Sequence, residues 1–385
     1  MRRFRLFIPA MLLLLAAPLQ AQMGKSVSIQ SGTPEDKALT AINAAGDPAE
    51  KLALIDKFLA DFGQGDLAIV AYEQYISFYL SQKNYDKIGE YAEKILGVDP
   101  DNFAAAVNLV RAASEKKDTA KLFAAGERIS AIVARYKAAP PPEGRDSVSW
   151  PGEKAKYLTE AQENIRYAEY QLFTAAYQAS DPAARAALME RFIAAFPDTA
   201  YASNARDLVV ISYQRARNFP KMTEAAEKTL AQDPKHPTIL VLLADYYSEQ
   251  GASLDKAESY AKQAIDQLSS AVKPEGVALA DWQKQISLQK GVAWSALGQI
   301  YITQRKDSQA LEAFRSAAPL VKPDATSYAR NQYRMGFALI NLKRIPEART
   351  ALTEAASVES PYRAMAQAKL KELPAAPARP GKKSS

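Results

Sequence analysis

The sequence predicts an all-α fold made of repeated antiparallel helix pairs. Two observations support this prediction: landmark residues at helical spacing between positions 294 and 317, and a longer segment that occurs twice in the chain. Trp294, Leu297 and Tyr301 follow one another at steps of three and four residues, which places them on one stripe of a first helix. Such a stripe needs an apolar partner, so we expect a second helix to pack against it.

Small residues mark where the two helices of this pair should touch. Gly298 on the first helix and Ala310 on the second leave room for a close backbone approach, and Phe314 and Ala317 continue the inward face of the second helix. The following repeat carries the same landmarks at Gly336, Ala348 and Ala355. We expect all of these positions to lie at helix–helix contacts.

A longer segment of the chain is duplicated. Residues 47–100 and 181–234 share a set of landmarks at one constant offset, among them Asp47-Pro48, Leu54, Phe58 and Phe62 in the first copy and Asp181-Pro182, Leu188, Phe192 and Phe196 in the second. Each copy starts with Asp-Pro, which suits an N-cap followed by proline in the first helical turn. We therefore predict the same helices in both copies.

Helix pairs are predicted over residues 35–136, 153–272 and 279–373. The last helix is expected to cap the array, because a terminal repeat exposes an apolar face that must be covered. The predicted helices span residues 35–45, 48–62, 66–82, 85–97, 103–117, 119–136, 153–179, 182–196, 200–216, 219–231, 237–250, 254–272, 279–304, 307–319, 326–342, 345–357 and 361–373.

Three segments are predicted to lie outside these helices. Residues 22–34 are expected to form a flexible N-terminal segment, residues 137–152 a Pro-rich surface loop, and residues 374–385 a disordered basic tail. Trp150 lies inside the loop. Its side chain either packs back onto the helices and holds the loop in place, or offers an exposed aromatic contact to a partner.

Residues 1–21 have the pattern of an export signal. Three basic residues, Arg2, Arg3 and Arg5, precede an apolar run, and the small residue Ala21 ends the segment at a suitable cleavage position. We expect cleavage near Ala21 and a periplasmic or secreted mature chain. The alternative is an uncleaved membrane anchor, although the run is short for a spanning helix and contains prolines. No second long apolar run follows, so no transmembrane span is expected in the mature chain.

The net charge of +6 resides in the two ends of the chain. The predicted signal holds three arginines and the tail holds Arg379, Lys382 and Lys383, and neither segment contains an acidic residue. The body between them, residues 22–373, is therefore neutral. A neutral body disfavours nucleic acid as a partner, because binding to phosphates needs a concentrated basic face.

The chain is poor in residues that carry chemistry. It has no cysteine, and its one histidine, His236, lies in a turn between predicted helices. These counts exclude thiolate and paired-histidine metal sites and disfavour a catalytic triad. No phosphate-binding loop or dinucleotide fingerprint is present. We therefore predict no cofactor, no metal ion and no catalytic residues, and an active site built only from carboxylates is the remaining enzymatic alternative.

The pattern from Trp294 to Ala317 resembles the tetratricopeptide repeat (TPR). The resemblance extends more loosely over residues 35–373 and implies a right-handed superhelical solenoid of helix pairs with a C-terminal capping helix. In this family the first helix of each pair lines a groove that holds protein segments. Carried over by position, the groove residues are Ser295, Gln299, Ile302, Thr303, Arg330, Tyr333, Phe337, Ile340 and Asn341.

A narrower resemblance concerns residues 192–202, where Phe192, Phe196-Pro197-Asp198 and Tyr201-Ala202 are similar to a motif of bacterial envelope TPR proteins. It implies a non-enzymatic adaptor that binds protein partners in the cell envelope. Two points stay open. Tyrosine stripes such as Tyr72-Tyr75-Tyr79 indicate either helix core or a tyrosine-lined groove for an extended peptide. The alternative function is a module that binds cell-wall polymer or glycan through tyrosine and tryptophan surfaces, and the basic tail allows peripheral association with the envelope.

Overall fold

The computed structural model describes residues 23–141 and 146–374, and these residues form seventeen helices and no strand. The all-α fold is therefore confirmed. The predicted export signal at 1–21, the tail from residue 375 onward and residues 142–145 of the predicted loop lie outside the described residues. None of the described helices combines the length and the apolar character that a membrane span requires.

The chain divides into two compact units, residues 1–212 and residues 213–385. Each consists of helices that pack against their neighbours in sequence, with additional contacts between alternate helices such as α5 with α7 and α13 with α15. The helices of the first unit are α1 (Pro34–Ala44), α2 (Pro48–Phe62), α3 (Leu67–Ser81), α4 (Tyr85–Val98), α5 (Phe103–Glu115), α6 (Thr119–Ala138), α7 (Trp150–Gln178) and α8 (Pro182–Ala195), and the boundary falls within α9 (Ala202–Arg215).

The second unit continues the same arrangement and ends with a single helix, α17, that packs on α16 and α15. Each of the seventeen helices begins and ends within three residues of its predicted position. The remaining helices are α10 (Phe219–Gln232), α11 (Pro237–Gln250), α12 (Leu254–Ser269), α13 (Leu279–Thr303), α14 (Asp307–Val321), α15 (Ala325–Asn341), α16 (Ile345–Ser357) and α17 (Tyr362–Glu372).

Helix caps explain why the boundaries are readable in the sequence. Asp47 accepts a hydrogen bond from the Glu50 backbone N–H at 2.8 Å, and its counterpart Asp181 in the duplicate accepts one from Ala184 at 2.7 Å. A side-chain cap of this kind satisfies a backbone donor that the first helical turn leaves unpaired. Equal caps in the two copies therefore produce equal helix starts.

Six of the turns that join consecutive helices share one backbone feature. In each of the six, a residue other than glycine lies in the left-handed region, with φ between 50° and 61°. This conformation costs roughly 1–2 kcal/mol for an L-residue, so packing of the two helices must hold it in place. Among the described residues these positions are Lys83, Lys117, Arg217, Ser253, Arg305 and Lys343.

The landmark glycines lie where helix surfaces meet. A Cβ atom on Gly298 would be 2.6 Å from Cε1 of Phe314, and one on Gly336 would be 2.7 Å from Cγ of Leu352. The alanines and the phenylalanine of the pattern, Ala310, Phe314, Ala317, Ala348 and Ala355, are fully buried. Small residues thus permit the close approach of paired helices.

Trp294 is an exception to the expected core stripe. Leu297 is buried, but Trp294 and Tyr301 are only half-buried. Tyr301 packs against the cluster around Phe314 and keeps its hydroxyl near Glu258. Large aromatic side chains are seldom fully enclosed, and helical spacing cannot tell full burial from partial burial.

The segment 22–34, predicted to be flexible, is instead packed against helices over its described part. Met23 is buried and accepts a hydrogen bond from the Phe103 backbone at 3.1 Å. Lys25 reaches Asp99 with its backbone N–H and Asp66 with its ammonium group, both at 2.7 Å. The prediction was wrong because the partners of this segment lie far along the chain, and local composition does not reveal them.

The predicted loop at 137–152 is shorter than expected, since α6 extends to Ala138 and α7 already begins at Trp150. Trp150 is buried, its ring meets Tyr136 edge-on at 6.0 Å, and its indole N–H donates to the Ala139 carbonyl at 3.4 Å. Of the two alternatives for Trp150, the structure supports the one in which it packs back onto the helices. The tryptophan joins the end of α6 to the start of α7.

The glycine contacts generate a stability prediction. Gly298→Ala should destabilise the protein by roughly 1–3 kcal/mol, because the new methyl group overlaps the Phe314 ring. Gly89→Ala is the matched control, since its Cβ would meet only the Ala112 methyl at 3.8 Å and should raise helix stability by up to about 1 kcal/mol. Urea unfolding of both variants checks this. Equal effects would show that Gly298 does not determine the helix contact.

Candidate protein-binding surface

The predicted groove residues lie on α13 and α15, the first helices of the last two pairs. Thr303 and Asn341 are exposed, Gln299, Ile302, Arg330, Tyr333, Phe337 and Ile340 are half-buried, and Ser295 is only 1% exposed. The assignment of Ser295 to the groove is therefore corrected, because this buried residue offers no surface to a partner. The reason is that α13 packs against four helices, α11, α12, α14 and α15, which leaves little of its surface free.

Arg330 does not project into open solvent but bridges α15 to α11. Its Nη1 donates to Asp245 Oδ2 at 2.9 Å and to Glu249 Oε1 at 3.4 Å, and Nη2 of Arg334 donates to the same Glu249 oxygen. These four side chains form an ionic cluster, defined here as Asp245, Glu249, Arg330 and Arg334. Sequence reasoning identified only Arg330. The four-residue spacing within each pair was the available signal for the other three, because it places both members on one helix face.

The two arginines are the most enclosed part of the ionic cluster. The side chain of Arg334 is 7% exposed and that of Arg330 is 15% exposed, whereas Glu249 is 41% exposed. Nη1 of Arg334 and Oδ1 of Asp245 have no hydrogen-bond partner among the described residues. Burying a charge whose hydrogen-bonding groups are not all paired lowers the stability of the folded state. The fold therefore keeps this cluster at a cost in unfolding free energy.

The electrostatic effects within the cluster differ for the two arginines. Burial lowers the pKa of Arg334, and the adjacent positive charge of Arg330 lowers it further. Burial is also the largest single influence on Arg330 and acts to lower its pKa, but the charge and hydrogen bond of Asp245, together with Tyr362 and Glu249, raise it and the net shift is upward. Arg330 is thus well compensated by the acids of α11, and Arg334 is compensated poorly.

An aromatic cluster, defined as Tyr333, Phe337 and Tyr362, lies beside the ionic cluster. Tyr333 meets Phe337 edge-on with ring centroids 5.0 Å apart, and Tyr362 of α17 lies 5.8 Å from Tyr333. Burial raises the pKa of Tyr362, while Arg330 and Arg334 oppose this rise, which places its hydroxyl in the field of the arginines. All three rings are half-buried and so retain surface for a partner.

The other predicted groove residues have local partners. The Asn341 side-chain amide donates to Asp307 Oδ1 at 2.7 Å, and the Thr303 hydroxyl donates to the Gln299 carbonyl one turn earlier at 3.1 Å. The first contact joins the end of α15 to the start of α14, and the second lies within the last turn of α13. The candidate surface is therefore centred on the two clusters rather than spread over the whole predicted set.

Many tyrosines in the helices serve internal contacts. The hydroxyl of Tyr247 donates to Glu227 at 3.1 Å, that of Tyr260 donates to the same carboxylate at 2.9 Å, and that of Tyr75 donates to Asp56. Tyr75 also stacks on Tyr91 with centroids 4.2 Å apart. For Tyr75 the structure supports core rather than groove. Tyr170 and Tyr177 on α7 are different, with 42% and 58% of their surface exposed.

The first unit has a separate cleft of about 440 Å³ between α4 and α6. Small residues, including Gly89, Ala112 and Ala125, line it, and ion pairs close its ends: Lys116 with Asp86, and Arg128 with Glu93 at 2.9 Å. Both pairs are exposed and contribute little stability. As for metals, residues 23–141 and 146–374 contain no group of three or more His, Asp or Glu side chains arranged to hold an ion.

Comparison with known proteins finds similarity only to solved structures. No protein-family model and no curated protein matches the sequence. Among solved structures, the chain is similar to Cut9–Hcn1 of the APC/C at 14% identity and a TM-score of 0.41, covering 88% of this chain but only 62% of that one. It is similar to yeast Tom70 at 10% identity and a TM-score of 0.33, and the match covers 88% of this chain and 94% of Tom70. It is also similar to the P58(IPK) TPR domain at 11% identity and a TM-score of 0.29, and the match covers 88% of this chain and 99% of that domain.

The ionic cluster predicts that stability depends more on Arg330, which lies in the cluster, than on Arg344, which lies outside it and is exposed. Arg330→Gln should cost roughly 3 kcal/mol of unfolding free energy, because it leaves Asp245 without its cation in a partly buried site. Arg344→Gln, which removes an exposed arginine from Glu347, should cost much less. Chemical unfolding of both variants measures the difference. Similar losses would mean that the cluster behaves as an ordinary surface ion pair.

The bond between Tyr247 and Glu227 predicts a pH dependence. Burial, together with Glu227, raises the pKa of Tyr247 to about 12 in the folded state, against about 10 for an unfolded tyrosine. The stability that the Tyr247 hydroxyl contributes is therefore fully present below pH ~10 and is lost as the pH rises toward 12. Wild type should exceed Tyr247→Phe by about 1 kcal/mol at pH 8, and the gap should shrink above pH ~10. Exposed Tyr177→Phe is the control, and a gap that stays constant with pH would contradict the assignment.

Proposed function

We propose that this protein is a non-enzymatic scaffold that binds segments of partner proteins on the first-helix surface of its C-terminal repeats. The observation that supports it best is the aromatic cluster on α15 and α17, whose rings are held by helix packing yet remain half-exposed beside the ionic cluster. Aromatic side chains give large contact area at a low entropic cost.

The mechanism follows from the rigidity of the repeats. Because the helices are already packed against one another before a partner arrives, the partner segment bears most of the ordering cost on binding. An extended or helical segment would lie along the exposed edges of Tyr333 and Phe337. The repeats hold these side chains in position, and binding on this surface requires no electron or proton transfer.

We further propose that the scaffold acts in a bacterial cell envelope, as an adaptor that is exported by the segment 1–21 and cleaved near Ala21. The pattern of basic, apolar and small residues in that segment supports this location. A neutral body supports a protein partner over nucleic acid. Mass spectrometry of the mature N-terminus would test the cleavage, and an N-terminus at Met1 in the mature protein would contradict it.

The scaffold proposal predicts that partner capture depends on the aromatic cluster. The full-length chain, tagged at its C-terminus, would be crosslinked in cells and purified with its bound proteins. Tyr333→Ala/Phe337→Ala should lose the partner, and Tyr170→Ala/Tyr177→Ala, which removes exposed aromatic surface from α7, should retain it. Retention of the same partners by both variants would exclude this surface as the binding site.

One observation favours a second candidate function. Tyr170 and Tyr177 lie two turns apart on α7 and are both exposed, an arrangement that suits stacking on the rings of a glycan or cell-wall polymer. Sedimentation with purified peptidoglycan would test it. Co-sedimentation that is lost in Tyr170→Ala/Tyr177→Ala, with no protein partner captured, would replace the scaffold proposal.

A further inference from the structure

We propose that the cleft between α4 and α6 binds a tyrosine side chain of a partner protein, whose hydroxyl donates a hydrogen bond to Glu93. The cleft lies between the second helices of two successive pairs and is separate from the aromatic cluster on α15 and α17. The inference therefore goes beyond the proposed first-helix surface. It is drawn from the duplicated part of the chain, where the corresponding place is filled by the chain's own tyrosines.

The duplication continues past residue 234 and shows which positions correspond. Asp181 follows Asp47 by 134 residues, and the same offset aligns the end of α5 with the end of α11, where Ser114-Glu115 matches Ser248-Glu249. The next helix, α12, begins 135 residues after α6, so the connection before it is one residue longer in the second copy. These two offsets align the walls of the cleft with residues of the second copy.

Three alanines of the cleft correspond to tyrosines in the second copy. Ala112 and Ala113 on α5 and Ala125 on α6 all line the cleft. Their counterparts on α11 and α12 are Tyr246, Tyr247 and Tyr260. The first copy thus lacks three aromatic rings at this place and has a cleft of about 440 Å³ instead. This volume lies within the range of roughly 300–1,000 Å³ that is usual for ligand pockets.

The second copy shows the chemistry of this place. The hydroxyls of Tyr247 and Tyr260 donate to Glu227 at 3.1 and 2.9 Å, and Lys256 pairs with the same carboxylate at 2.6 Å. Glu227 corresponds to Glu93, which lines the cleft. The carboxylate that accepts phenol hydroxyls in the second copy is therefore present in the first copy without the two tyrosines.

The apolar surface of the cleft is suited to a ring. Tyr85 lines it, and the counterpart of Tyr85 on α10, Phe219, stacks on Tyr246 with ring centroids 5.4 Å apart. A bound ring would pack on Tyr85 in the same way. Gly89 leaves further room, because an added Cβ there would meet only the Ala112 methyl at 3.8 Å. The cleft therefore combines an aromatic wall with a floor of small residues.

The charge of the cleft favours tyrosine over other side chains. Arg128 donates to Oε2 of Glu93 at 2.9 Å, so this carboxylate already has a cation. A partner lysine would compete with Arg128, whereas a phenol adds a hydrogen bond without adding a charge. A phenylalanine would contact the apolar floor but would bring no donor to the carboxylate. Only tyrosine supplies both the ring and the hydroxyl that the second copy uses.

The test uses the full-length protein and a tyrosine probe, N-acetyl-tyrosinamide fluorinated on the ring, whose binding is followed by the line width of its fluorine NMR signal. A ligand of this size should bind saturably with a Kd on the order of 1 mM. The matching phenylalanine probe should bind about tenfold more weakly, because it lacks one hydrogen bond to a charged group.

Filling the cleft from within should abolish binding of the tyrosine probe. Ala113→Tyr introduces the residue that the second copy has at this position, so its ring should occupy the cleft. Ala104→Tyr is the matched control, because Ala104 is an exposed residue of the same helix and lies outside the cleft. This control should bind the probe as the wild type does.

Removing the acceptor charge tests the hydrogen bond. Glu93→Gln should weaken binding of the tyrosine probe about fivefold, since a neutral amide oxygen accepts a weaker hydrogen bond than a carboxylate, and should not change binding of the phenylalanine probe. Glu127→Gln is the control. Glu127 is 43% exposed and pairs with Arg191 at 2.8 Å on α6, outside the cleft, so its loss should change neither affinity.

Three results would overturn the proposal: no saturable binding of the tyrosine probe, equal affinity for the two probes, or binding that persists in Ala113→Tyr. Thermal melts followed by circular dichroism identify variants that fail to fold. If Ala113→Tyr does not fold, the comparison of Glu93→Gln with Glu127→Gln decides.

The scaffold proposal is tested separately by its own variant. Tyr333→Ala/Phe337→Ala should bind the tyrosine probe as the wild type does, even where it loses a captured partner. Loss of probe binding in this variant would place the tyrosine site at the aromatic cluster and exclude the cleft. Loss of the captured partner with unchanged probe binding would leave both proposals standing.

Discussion

The structure depends on one recurring contact, in which a glycine of one helix receives a large apolar side chain of another. Gly126 receives Leu172, Gly291 receives Val321, Gly298 receives Phe314 and Gly336 receives Leu352, and an added Cβ would come within 2.5–2.7 Å of the opposing side chain in each case. These contacts bring the helix backbones together and bury the apolar stripes between them. Those at Gly298 and Gly336 join the helices on either side of the left-handed turns at Arg305 and Lys343, and this packing offsets the conformational cost of the turns.

Charge enters this apolar framework at a few enclosed places. Tyrosine hydroxyls meet single carboxylates, as at Glu227, while the ionic cluster joins α11 to α15 with four charged side chains. The first arrangement is satisfied internally and serves packing. The second leaves donor and acceptor atoms without partners, so the ionic cluster retains charge at a cost to stability.

The sequence was informative about helices and weak about surfaces. Helix ends were readable because caps and prolines act within a few residues of one another. The register of the repeat placed Tyr333, Phe337 and Arg330 near the candidate surface, but it placed Ser295 there too, although this residue is buried. Arg334, Asp245 and Glu249 were missed, since their contacts join positions 85 residues apart and leave no local pattern beyond the four-residue spacing.

By itself, then, the sequence determined the all-α class, the order of the helices and the small residues at their contacts, because helical periodicity, capping and steric size are local properties of the chain. Tertiary structure decided which side chains remain accessible. It enclosed Ser295 and Trp150, packed residues 23–33 that composition suggested were flexible, and joined the arginines of α15 to the acids of α11. Exposure and charge pairing depend on every element that surrounds a side chain, so they are settled only when the helices have packed.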